Sequence, residues 1–415
     1  MMVSVKLNQG ELRGLELGSL SVFHAVPYAT AERFQAPDFA PKWTGVRDAT
    51  QPGAICPQSP SRVDFIMGAP KVKREMSEDC QLLSVYTPGL KGRRPVMMWI
   101  HGGAYITGGG QEQWNDAASL AKDGDVVIVT INYRLGAFGY LYAPELGTVN
   151  AGLQDQLAAL RWIHENIEQF GGDPQNITIF GQSAGGHSVA SILATANRAP
   201  VRRAIIQSAP LSEAFDATRA AQTAGEFIDL LEKSPLEASV EEILTAQAKV
   251  MANSNVGLPF RPVGNPSAFI IGPGPKPDVL MGWGKDDAAP FVALKHPEQA
   301  YGSAEDKAQT LELTSEIFSA PARAFAARLR ESGVAVSLYQ NEWNPSGSPF
   351  GTCHCIELPL LFASYPVWEG APMLGTANQE EIERLGRQAR TFWTEFARSG
   401  TPPEPTDWLT RPNLL

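Results

Sequence analysis

The chain has 415 residues, of which 43% are hydrophobic and 9% aromatic, enough for a large packed core and too many for a disordered polymer. The net charge is −10; the one short basic stretch, KVKRE at Lys71 to Glu75, reads as a solvated loop, so no nucleic-acid partner is expected. No run approaches the roughly 18 apolar residues of a spanning helix, and no basic-then-apolar leader opens the chain, so the expectation is a cytoplasmic protein without a membrane partner, its oligomeric state open and a monomer favoured.

In chain order, MMVSVKLNQGELRG alternates apolar and polar residues like a strand. Short β-rich runs follow: Val96 to Ile100, Val126 to Ile131, Ile177 to Phe180, Ala204 to Gln207, Asp278 to Trp283 and Val334 to Gln340. Between them, 153–170 and 315–333 carry helical periodicity. The stretch 211–275 reads as helix and loop belonging to a cap. No repeat of 20 to 50 residues and no interdomain linker interrupts the pattern. Strands alternating with helices predict a mostly parallel sheet covered on both faces, with ligands bound where the strands end at their carboxyl edge.

Chemistry is therefore expected directly after strands. The run NITIFGQSAGG places Ser183 in G-x-S-x-G between a strand and a helix, where Gly181 and Gly185 permit a sharp turn that exposes the hydroxyl. That hydroxyl needs a base, and the chain has six histidines. His187 is four residues away, but on a helix beginning near Ala184 it lies a turn along while the hydroxyl faces the cleft, so packing or polar support is its expected role. His24 and His164 read as structural or exposed, and His296 sits in a proline-flanked loop. His354 follows the last strand and its loop, where a parallel sheet delivers a base. Asp286 and Asp287 lie just past another strand, giving the chain order serine, acid, histidine. WIHGGAYITGGG strips side chains from Gly102 and Gly103, freeing amides for an oxyanion; Gly108 to Gly110 read as loop and, lacking the following Lys and Ser/Thr, cradle no phosphate. His354 lies between Cys353 and Cys355, a spacing too tight for a structural zinc site, so no metal is expected.

With these residues in place the chain resembles the type-B carboxylesterase/lipase family, which includes the cholinesterases. The likeness runs through FHAVPYATAERF, AICPQ, SEDCQLLSVYTP, WIHGGAYITG, NYRLGAFGYL, the segment from Asn150 to Gly186, GTCHCIELPLLF and FWTEFARSGTPP. It implies an α/β-hydrolase fold in one catalytic domain over 1–415, with 211–275 and 292–312 as elements of a reduced helical cap. It also implies a serine carboxylesterase that works through an acyl-enzyme on a small-molecule ester, without cofactor. Matched position by position, Ser183 is the nucleophile, His354 the base and Asp287 the acid. The oxyanion donors become the amides of Gly103, Ala104 and Ala184, which moves one donor from Gly102. Ser208 matches a serine supporting the acid. Two ion pairs are implied, Arg33 with Glu78 and Arg134 with Asp173, and Cys56 and Cys80 match a disulfide of relatives from oxidising compartments.

Asp287 departs from the family's usual Glu by one methylene. Gln182 replaces a commonly acidic residue, which disfavours cationic substrates and leaves a neutral, moderately apolar ester as the expected substrate. Loops near Ala104 to Trp114 and Leu211 to Phe215 are expected to line the pocket. Two rival readings keep the chemistry open: an acyltransferase or cyclase using the same triad, and a binding module without catalysis.

Overall fold

A computed structural model describes the chain except for residues 148, 197, 213–214, 255–257, 265–275, 296–298, 405, 407 and 411–415. Its strands are β1 (Met2–Lys6), β2 (Glu11–Leu17), β3 (Leu20–Pro27), β4 (Ala29–Thr30), β5 (Asp38–Phe39), β6 (Val46–Asp48), β7 (Leu82–Thr87), β8 (Arg94–Ile100), β9 (Val127–Ile131), β10 (Gly172–Gln182), β11 (Arg203–Gln207), β12 (Asp278–Gly284), β13 (Val336–Asn341) and β14 (Leu409–Thr410). One large sheet runs β1-β2-β3-β7-β9-β8-β10-β11-β12-β13-β14, with β6 on β2, while β4 and β5 pair separately. Its centre, β9 to β13, is parallel. The β1, β2, β3 and β7 side is an antiparallel meander joined to β9.

The continuous apolar runs of β8, β9 and β11 follow from cover on both faces. Side chains alternate across the sheet. Met98, Val129, Ile179 and Ile206 pack on one face with Leu160, Ile163 and Val189 of helices Ala151–Asn166 and Ala184–Ala194. Met97, Trp99, Ile128, Phe180 and Ile205 pack on the other with Phe392, Trp393 and Phe396 of helix Gln379–Ser399. The helix expected over 315–333 opens with a π turn, Ser315–Ser319, before regular helix Ala320–Glu331. Pro321 explains the wide turn, because it has no N–H to donate back to residue 317. Among the described residues no helix is long and apolar enough to cross a membrane.

One expected ion pair forms and one does not. Arg33 binds Glu78 through two nitrogens. Arg134 instead makes a buried, two-pronged pair with Asp155, at 2.7 and 2.8 Å, while Asp173 pairs with exposed Arg93 at 2.7 Å. Register gives the reason: Gly172 sits opposite Arg94 at the start of the parallel strands, whereas Arg134 follows Ile131 at the end of β9. Arg134 and Asp173 therefore lie at opposite edges of the sheet. Cys56 and Cys80 are free, buried thiols in contact with each other.

Candidate active site

Four loops meet at the carboxyl edge of the parallel strands, and the one that follows β13 carries His354. The first is the turn from β10 into helix Ala184–Ala194, where Ser183 takes φ 58° and ψ −124°. Such a conformation costs about 1 to 3 kcal/mol and persists only when its surroundings enforce it. Here they do. A Cβ on Gly185 would lie 2.0 Å from the Ile100 carbonyl oxygen, and one on Gly181 would lie 2.5 Å from the Gly185 carbonyl carbon. Bonds from Ser183 N–H to Gln207 O (2.8 Å) and from His187 N–H to Ser183 O (2.9 Å) fix the turn.

The second loop leaves β12 and carries the paired aspartates, which the structure separates by role. Asp286 turns toward the loop before the histidine and accepts the Thr352 N–H at 3.0 Å. Asp287 is wholly buried. Its Oδ2 accepts the Ser208 hydroxyl at 2.6 Å and the Gly284 N–H at 2.8 Å. Its Oδ1 lies 2.5 Å from His354 Nδ1. A carboxylate only accepts, so Nδ1 carries the proton and Nε2 is left as an acceptor. The Gln182 side-chain amide, 3.1 Å away, donates to that Nε2. Gln182, rather than Ser183, thus holds the imidazole in this state, and the Gln182 carbonyl faces the Cys355 thiol at 3.6 Å. Phe291 and Phe318 pack on the ring, with centroids 5.1 and 5.2 Å away.

The third loop follows β8. Gly103, Ala104 and Tyr105 all have positive φ, at 112°, 56° and 63°. Gly103 is required there, since a Cβ would sit 2.1 Å from the Thr107 carbonyl oxygen. The Ile106 and Thr107 N–H groups both bond back to the Gly103 carbonyl at 3.0 Å. The amides of Gly103 and Ala104, and that of Ala184 at the first helical position, make no hydrogen bond among the described residues. A Cβ on Gly102 would lie 3.2 Å from Ser183 Cβ, so this glycine lets the loop pack against the serine turn.

These loops bound a narrow cleft. Gln182, Ser183 and His354 form its floor. Gly103, Ala104, Ile106 and Thr107 line one wall, and Val63, Phe291 and Leu294 the other, with Arg62 as the charged member. Leu211 and Phe215 are buried rather than lining it, and 213–214 and His296 lie outside the described residues. His187 also lies off the cleft: its Nδ1 is 2.6 Å from the Tyr105 hydroxyl, and burial, aided by Arg261, lowers its pKa to about 3. His164 bonds the Pro200 carbonyl, and His24 bonds Ser84.

Sequence reasoning passed over Glu357, three residues beyond His354. It is buried and accepts the Gln207 amide at 3.2 Å. Burial first, then the charge of Asp287, raises its pKa to about 7. A glutamate inside the apolar run CIELPLLF was the available signal.

A serine on a strained strand-to-helix turn, an aspartate-bound histidine and amides unpaired among the described residues, all at one sheet edge, can do acyl transfer. The model of the carboxylesterase family matches residues 2–323. The chain belongs to that family. It is 36% identical to a probable N-octanoylanthranilate hydrolase of Rhodococcus erythropolis, over 99% of this chain and 96% of that protein. It is 31% identical to the para-nitrobenzyl esterase of Bacillus subtilis, over 97% and 91%. Among solved structures, a thermophilic para-nitrobenzyl esterase superposes with a TM-score of 0.84 at 31% identity, covering 98% of this chain and 93% of that one. This carboxylesterase has the α/β-hydrolase fold and is a carboxylic ester hydrolase.

Proposed function

We propose that Ser183 is the nucleophile, His354 its base, Asp287 the group that orients and stabilises the imidazolium, and Gly103, Ala104 and Ala184 the oxyanion donors. The observation that carries this reading is the position of Ser183 in one cleft with an Asp287-bound His354 and with amides that have no hydrogen-bond partner among the described residues. As Gln182 releases Nε2, His354 takes the Ser183 proton and Ser183 Oγ attacks the ester carbonyl. The three N–H groups hold the developing negative charge, and one such donor is worth about 2.7 to 4 kcal/mol in the transition state. The imidazolium then protonates the leaving alcohol. Water repeats the sequence on the acyl-enzyme and releases the acid.

The walls of Val63, Ile106, Phe291 and Leu294 support a moderately apolar, uncharged acyl group. The segments 211–275 and 292–312 are proposed as the cap of a single catalytic domain. A cytoplasmic location is part of the same reading. A panel of p-nitrophenyl esters tests the substrate class, with an added alcohol as competing acceptor. The expected result is highest kcat/KM on neutral short-to-medium acyl chains with free acid as product. Preference for a cationic acyl group, or ester exchange as the main product, would contradict it.

Gln182 also gives a pH prediction. Replacing its amide by a carboxylate puts a negative charge about 3 Å from Nε2, which favours the imidazolium, and a nearby opposite charge moves such an equilibrium by about one unit or more. Because the base must be neutral to act, Gln182→Glu is expected to move the acid limb of the kcat/KM profile to higher pH. A limb that stays in place would mean that residue 182 does not face the base during turnover.

A further inference from the structure

The oxyanion donors come from two separate segments, the loop after β8 and the start of helix Ala184–Ala194. Nothing in the chain connectivity keeps them in register: one precedes the other by about 80 residues of sequence, as the numbering of Ala104 and Ala184 shows. The loop is also strained. Ala104 and Tyr105 are consecutive non-glycine residues at φ 56° and 63°, where an L-residue costs roughly 1 to 2 kcal/mol.

One side chain spans the two segments. Tyr105, 1% exposed, reaches from the loop to His187 on the helix, hydroxyl to Nδ1 at 2.6 Å. His187 is one turn beyond Ser183, whose carbonyl accepts the His187 N–H at 2.9 Å. The Tyr105 hydroxyl also accepts from Ser188 Oγ at 3.3 Å, and Ser188 Oγ in turn accepts from Gln156 Nε2 at 3.1 Å. The Tyr105 carbonyl accepts the Gly136 N–H at 2.7 Å. Tyr105 is therefore pinned at its backbone and at its ring tip, while its own peptide unit adjoins Ala104. The ring packs edge-on against Tyr140 and His187 at centroid distances of 4.9 and 5.8 Å, so the phenol has little room for another rotamer. Burial keeps His187 neutral, with a pKa near 3, and burial likewise raises that of Tyr105. The phenol donates and the imidazole accepts.

We infer that the Tyr105–His187 hydrogen bond ties the two halves of the oxyanion site together, making both side chains positioning residues that hold the Ala104 amide against the Ala184 amide. This rests on the proposed role of those amides as oxyanion donors. Neither side chain touches substrate. The bond acts where charge develops in the transition state, so its loss lowers kcat and leaves ground-state binding alone.

The test uses the full chain with Tyr105→Phe, His187→Leu, the double variant and His187→Asn, whose amide oxygen can accept from the phenol near the place of Nδ1. Readouts are kcat and KM on a p-nitrophenyl ester, affinity for an alkylboronic acid that mimics the tetrahedral intermediate, and Ser183 labelling by a fluorophosphonate. A full oxyanion donor is worth about 10² to 10³ in rate, and a misaligned one loses part of this. Tyr105→Phe and His187→Leu are each expected to lower kcat roughly tenfold and to weaken boronate binding in parallel, with KM nearly unchanged. The double variant should be no slower than the slower single variant, and His187→Asn should recover most of the rate. Unchanged kcat and boronate affinity with only a lower melting temperature, losses that multiply in the double variant, or losses confined to KM would each overturn the inference. If one single variant fails to fold, the other carries the same comparison. Failure of the underlying reading looks different, since the wild type itself would then hydrolyse the ester without binding the alkylboronic acid more tightly than substrate, whatever the variants do.

Discussion

Ser183→Ala is expected to lower kcat on a p-nitrophenyl ester by about four to six orders of magnitude, the range seen when a serine nucleophile acting in a unit with its base is removed. The geometry makes this a clean substitution. The Ser183 hydroxyl makes no hydrogen bond among the described residues, and alanine keeps the Cβ that the turn already accommodates at φ 58°. Bonds from Ser183 N–H to Gln207 O and from His187 N–H to Ser183 O belong to the backbone and survive. Thermal stability should therefore be unchanged or slightly higher, which separates loss of chemistry from loss of fold. Kinetics and a melting curve on the same preparation check both halves. A variant retaining a tenth of the wild-type rate would require another nucleophile.

Asp287→Asn carries the second large effect, a fall in kcat on the order of 10⁴, as when the orienting aspartate of a serine-protease triad is made asparagine. The reason is the direction of one hydrogen bond. In the wild type, Oδ2 is held by donors, Ser208 Oγ at 2.6 Å and Gly284 N–H at 2.8 Å. An asparagine at 287 keeps its carbonyl oxygen on those donors and so turns its NH₂ toward His354. Nδ1 must then accept, the imidazole proton moves to Nε2, and the atom facing Ser183 can no longer take a proton. The variant should fold, bind ester with a similar KM and react with fluorophosphonate far more slowly. Steady-state kinetics together with the labelling rate check this. A loss of tenfold or less would show that Asp287 does not set the tautomer.

The parts legible in the sequence are those fixed by local backbone need. The strand runs from Val96 to Gln340 fall within or close to β8 to β13 because β-branched and aromatic runs buried on both faces leave little alternative. Val126, Val334 and Ala335 fall outside by a residue or two. The Gly181 to Gly185 turn is legible because a Cβ at either glycine collides with backbone. The distance of His187 from the cleft is legible too, since helix geometry sends it down the helix. The proposed use of the Ala104 amide in place of that of Gly102 is different. It came from family resemblance, because glycine content alone does not say which amide faces a ligand.

What stayed hidden depends on contacts distant in sequence. Pairing Arg134 with Asp173 failed because both residues lie near the same strands but at opposite edges, and sheet register is not written in residue type. Gln182 was visible as a neutral substitution, yet its bond to His354 Nε2 links residues 172 positions apart. The Tyr105–His187 bond spans 82 positions. The antiparallel meander of β1, β2, β3 and β7 was only partly readable. Its first strands alternate, but every residue of Leu82–Thr87 is buried and so shows no period. The pocket wall was misassigned at Leu211 and Phe215 for a related reason: these residues are apolar, and the fold spends them on its core.

The most direct measurement of the central claim is intact-protein mass spectrometry during turnover of a slowly released ester, followed by peptide mapping. One acyl group per chain is expected on the peptide containing Ser183, formed in the wild type, absent in Ser183→Ala and strongly slowed in Asp287→Asn. An acyl group on any other residue, or steady turnover with no covalent adduct and an active Ser183→Ala variant, would contradict it.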